Sequence, residues 1–100
     1  MLASSTIIEI NNKYNEALLN KHNNRTACID ICKLGRTTLT YIVGQNGIEL
    51  GLKDKSGTLS VLDAQAISLL KAGYSGRPKL LQMIDIAVGL NTHSKLDKEH

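Results

Sequence analysis

Aromatic side chains are scarce in this 100-residue chain, which has three tyrosines and neither phenylalanine nor tryptophan. A core must therefore be assembled from Leu, Ile and Val, and a function that rests on an aromatic platform is disfavoured. Long apolar runs are missing as well, since none approaches the ~20 residues that a membrane-spanning helix needs. The opening stretch MLASSTIIEINNKY lacks the basic n-region of a signal peptide. The expectation is either a cytoplasmic chain or a fragment whose targeting segment lies upstream. Charge of one sign is not concentrated anywhere. The net charge is +3, and the twelve basic residues are spread singly from Lys13 to Lys98. That pattern describes a solvated surface and not a nucleic-acid footprint, which would need clustering.

Cysteine is nearly absent too, with only Cys28 and Cys32. On a strand rising ~3.3 Å per residue they would lie roughly 13 Å apart on one face. A disulfide needs Cα atoms within about 7 Å, so the two are expected to stay reduced and partly buried. His22, His93 and His100 have no zinc-ligand spacing with Cys, Asp or Glu, and no metal or other cofactor is implied. The nine acidic residues are scattered, and no paired carboxylates suggest acid–base work. The reading is of a chain that is not an enzyme.

What is present reads as one α+β domain over residues 1–100: an N-terminal helix, an antiparallel meander of three or four strands, and two C-terminal helices. The ordered core is expected over about residues 6–91, followed by a flexible tail over 92–100. Thr6 and Glu9 have capping-box spacing, and Ile7, Ile10, Tyr14 and Ala17 then recur on one helical face. Asn20–Arg25 (NKHNNR) should end that helix, because Asn tolerates left-handed backbone geometry. Thr26–Lys33 alternates, with Ala27, Ile29 and Ile31 on one side and Cys28, Asp30 and Cys32 on the other. Thr37–Val43 is rich in β-branched residues and reads clearly as a strand. Gly35 between them suits a bulge in one bent strand better than a tight hairpin, since no Asn-Gly or Asp-Gly accompanies it. Gly44–Gly47 carries a hairpin signal, and Asp54–Gly57 marks a second turn before a short strand with Leu59 and Val61 inward. Asp63 fits as the N-cap of a helix over Ala64–Lys71, and Pro78 suits the first position of a final helix over Lys79–Leu90.

The final helix is apolar over an unusually wide arc. Leu80, Leu81, Met83, Ile84, Ile86, Ala87, Val88 and Leu90 span roughly 220° at ~100° per residue, about twice the stripe a helix needs to lie on a sheet. The excess must meet the first helix, a second copy of the chain, or a missing part of a longer protein. The candidate interface is Leu81, Ile84 and Val88 with Ile7, Ile10 and Tyr14, its partner a protein, and Leu81→Lys or Val88→Lys should break it. The alternative is an anion or small-ligand site. Ser75, Gly76 and Arg77 precede a helix N-terminus, where amide donors and the helix dipole converge, and Arg36 beside Gly35 is the other charged candidate.

The order Leu34, Gly35, Arg36, Leu39, Tyr41, Gly47, Gly57, Leu62 followed by two helices resembles the C-terminal part of a family of uncharacterised periplasmic coiled-coil proteins. Those proteins are encoded beside TonB–ExbB–ExbD type energy-transduction genes. The similarity covers roughly residues 7–90; the family's strand carries Leu-x-Gly-Arg-x-x-Leu-x-Tyr or similar, and this chain resembles it through Leu34, Gly35, Arg36, Leu39 and Tyr41, with Leu34 directly before Gly35. Where the family tends to place Trp after the second turn, this chain has Leu59. The resemblance implies a protein-interaction role in the cell envelope and a periplasmic location for a longer parent chain. It implies no catalytic residue.

Overall fold

The computed structural model describes residues 2–98. Helix α1 (Ser4–His22) leads into strands β1 (Ala27–Leu34), β2 (Thr37–Gly44), β3 (Gly47–Lys53) and β4 (Leu59–Val61). Helices α2 (Ala64–Gly73) and α3 (Pro78–Lys98) follow. The strands pair antiparallel in the order β1-β2-β3-β4, so the α+β meander read from the sequence is the fold.

Helix boundaries follow local chemistry. The helix α1 begins at Ser4, two residues before the expected capping box, because the Ala3 carbonyl already accepts from the amides of Thr6 and Ile7. It stops where Asn24 turns left-handed at φ 56° and the Arg25 amide returns to the Asn20 carbonyl. Asp63 caps α2 by accepting from the Ala66 amide at 2.7 Å. The helix α3 runs on to Lys98 where the sequence suggested a stop at Leu90, since neither Gly nor Pro follows to end it. Residues 99 and 100 of the expected tail lie outside the described residues.

At Gly35 the outcome differs from the expected bent strand. Leu34 pairs with Thr37, leaving Gly35-Arg36 as a two-residue hairpin turn with Gly35 at φ 64°. Glycine in the first central position, followed by any residue, is the type II′ solution and needs no Asn-Gly signal. The bulge lies elsewhere. Between Asp30 and Cys32 the register shifts, and Ile31 is the residue left over. It follows that Cys32 changes face. Ile29, Ile31, Cys32 and Leu34 all meet the core, while Cys28 is exposed on the opposite side.

Helices α1 and α3 cover one face of the sheet and pack on each other. Into that layer project Ile29 and Leu34, Leu39, Tyr41 and Val43, and Ile48 and Leu50, against Ile10, Tyr14 and Ala17 of α1 and Ile84 and Ala87 of α3. Each large apolar side chain buried this way contributes about 1.5–3 kcal/mol. Two polar links cross the same layer. The Tyr41 hydroxyl donates to the Ala87 carbonyl at 2.7 Å. Tyr14 meets the Tyr41 ring edge-on with centroids 5.1 Å apart, and its hydroxyl reaches Asn91 Oδ1 at 3.5 Å. Asn91 Nδ2 in turn donates to the Ile48 carbonyl at 3.1 Å.

Candidate functional site

The wide apolar arc of α3 is largely used inside the molecule. Ile84, Ile10 and Tyr14, expected at an intermolecular interface, are buried in the core instead. The reason is that α1 lies along α3 and both lie on the sheet, so three apolar surfaces close on one another. Leu81 and Val88 are half-buried, and Ile7 is the most open of the six at 38 % exposure. Between α1 and α3 a shallow groove remains, lined by Asn15, Leu18, Ile86, Gly89 and Leu90 among others.

Two segments that carry the alternative ligand residues approach each other. A Cβ built on Gly35 would lie 3.9 Å from the Tyr74 hydroxyl, so the β1–β2 turn carrying Arg36 sits against the loop between α2 and α3. Arg36, Ser75, Gly76 and Arg77 are all exposed, and Gly76, Arg77, Pro78, Lys79 and Leu80 line an open depression. Two segments 39 residues apart in the sequence thus meet at Gly35 and Tyr74. A second cleft, at the C-terminal end of α1, is lined by Lys21, Asn24, Arg25, Thr26, Gly44 and Gln45.

The surface that the sequence reading missed is the other face of the sheet. Among the described residues no helix packs on it. Cross-strand pairing sets its rows: Cys28 beside Ile42 and Glu49; Asp30 beside Thr40, Gly51 and Val61; Lys33 beside Thr38, Lys53 and Leu59. Leu59 and Val61 therefore point away from the core, contrary to expectation, and are 40 % and 54 % exposed. The parity follows from Ser60 standing opposite Leu52, a core-facing residue. At its polar end, Lys53 Nζ reaches both Asp30 oxygens, at 2.8 and 3.0 Å, spanning β2 above the fully buried Thr40. At its apolar end, the tip of Ile42 fills the space above Gly51, where a Cβ would meet Ile42 Cδ1 at 2.4 Å and the Ser60 carbonyl at 3.0 Å. Ile42, Gly51, Val61 and Leu59, with Lys53 beside Leu59, thus follow one another to the edge strand across this face. Its signal in the sequence was the glycine inside a strand, which marks close approach.

The two thiols have different environments. Burial pushes Cys32 up to about 11, leaving it protonated and unreactive near neutral pH. Cys28 is open on the bare face. No group of three or more His, Cys, Asp or Glu residues able to hold a metal ion occurs among the described residues. No described helix is long and apolar enough to cross a membrane. No family model matches the chain, and no curated protein or solved structure matches it either.

Proposed function

We propose that this chain is a non-enzymatic protein-interaction module that associates with itself. Following the resemblance to the periplasmic coiled-coil family, it would be the globular end of an envelope protein associated with TonB-type energy-coupled uptake. One observation carries the interaction reading. The sheet has helices on one face only, and its bare face carries apolar side chains out to an unpaired edge at Leu59 and Val61. Exposed apolar side chains that form a strip are an interaction feature, whereas single scattered ones are ordinary. Ile8, Leu19 and Leu69 are also exposed, on α1 and α2.

Molar mass by light scattering on a size-exclusion column, at micromolar and millimolar chain concentration, tests the reading. A mass that rises with concentration toward twice the monomer is expected. A monodisperse monomer throughout that range would sink it. The anion-binding alternative has its own support in the approach of the Gly35-Arg36 turn to the Tyr74 loop. It expects a higher melting temperature with an anionic ligand such as inorganic phosphate, abolished in Arg36→Ala or Arg77→Ala.

A further inference from the structure

We infer that the contact is made by the edge strand β4, which pairs antiparallel with the β4 of a second copy about a two-fold axis at Ser60 and continues the sheet from one protomer into its partner. This rests on the self-association reading and names its surface. The hydrogen-bonding parity of β4 is legible at both ends. The Leu62 amide donates to the Leu50 carbonyl, and the Asp54 amide to the Thr58 carbonyl. Residues 58, 60 and 62 therefore turn their backbone groups toward β3. In an antiparallel ladder the alternate residues, Leu59 and Val61, turn theirs outward. An edge with outward amides and carbonyls is a template for another strand.

One register uses all of those groups. With Ser60 opposite the partner's Ser60, Leu59 faces the partner's Val61 and Val61 faces the partner's Leu59. Both pairs then exchange two hydrogen bonds each. Sliding by two residues in either direction leaves only one such pair within the strand. The same register matches the side chains, because Leu59 and Val61 lie on one face and would stack as two Leu–Val pairs astride the axis. The strip Ile42–Gly51–Val61 would continue into the strip of the partner subunit with no polar residue between. A two-fold contact must match its own surface, and this register does so.

So short an edge buries far less than the ~1,200 Å² of a standard stable interface, so the dimer is expected to be weak and reversible. Disulfide trapping suits a weak contact. In the proposed register the two Ser60 residues form a non-hydrogen-bonded pair with Cα atoms about 4.5 Å apart, within the range a disulfide spans. Ser60→Cys in a Cys28→Ser background should give a covalent dimer on mild oxidation, while Ser68→Cys on the exposed face of α2 stays monomeric. Val61→Pro removes an outward donor without touching the ladder to β3. It should lose the concentration-dependent rise in mass while keeping the native circular dichroism spectrum. A wild-type dimer whose Ser60→Cys variant does not cross-link, or cross-links no faster than Ser68→Cys, would overturn this contact and leave self-association standing. A wild-type monomer at every concentration would overturn both.

Discussion

At Tyr41 a single hydroxyl joins the sheet to α3, and burial, with Tyr14 and Cys32 nearby, holds that hydroxyl protonated far beyond the ordinary phenol range. Tyr41→Phe keeps the ring against Tyr14 and removes only the bond to Ala87. A loss of about 1 kcal/mol is expected from urea denaturation. Asn91→Ala breaks the links to Tyr14 and to Ile48 together and leaves a void, so about 2–3 kcal/mol should go. Gly51→Ala is a different kind of test. Its methyl would drive against Ile42 and the backbone of β4, and a loss of about 1–3 kcal/mol is expected from overpacking. Thiol labelling separates the cysteines. One equivalent of a maleimide should react with the native protein, at Cys28, and the second only after denaturation. Two fast equivalents in the native state would contradict the burial of Cys32.

Among the elements, β4 and α2 are the least anchored. The turn that delivers β4 depends on Asp54, whose carboxylate accepts from the Ser56 and Thr58 amides and from the Ser56 hydroxyl. Those bonds hold its ionisation below the usual carboxylate range. A lowered carboxyl favours the folded turn above its unfolded pKa, and that contribution is lost as pH falls through the lowered value. The Thr58 amide should therefore exchange with solvent faster once Asp54 is protonated, and at every pH in Asp54→Ala. The helix α2 has no fully buried residue and is tied to α3 by the Lys71–Asp85 pair, 3.1 Å apart and half-exposed, a contact worth at most about 1 kcal/mol. Its amides should exchange well before those of α1, which supplies Ile10, Tyr14 and Ala17 to the core.

Across the whole molecule, what was legible was whatever local chemistry decides. Thr37–Val43 announced a strand through its β-branched residues, Asp63 a cap, Pro78 a helix start, and NKHNNR a helix end. What was hidden depended on how surfaces meet. The arc of α3 did not say which of the first helix, a second copy or a further part of the chain would cover Ile84, and it is α1 and the sheet that do. Asn91 continued the inward stripe of Ile84 and Ala87, yet the expected helix stopped one residue short of it, at Leu90. The parity of Leu59 and Val61 was set by pairing with β3, which the composition of so short a strand cannot express. The layered core also has a pH signature. Cys32 and Tyr41 are both raised by burial, so their stabilisation is complete below the unfolded thiol value near 9 and is lost as pH climbs toward and past about 11. Melting temperature should fall steadily over that alkaline window, and less steeply in Cys32→Ala.

The leftover residue in β1 bears on which length changes the chain can absorb. Removing one residue from a strand normally turns every later side chain to the wrong face. Here Asp30 stands opposite Thr40 and Cys32 opposite Leu39, so excising Ile31 would restore an unbroken ladder with both neighbours still correctly paired. A chain lacking Ile31 should fold, weakened by about 2–3 kcal/mol for the lost buried side chain. A chain lacking Ile29 should not fold. Strand β1 thus contains one position at which a codon can be lost without scrambling the sheet.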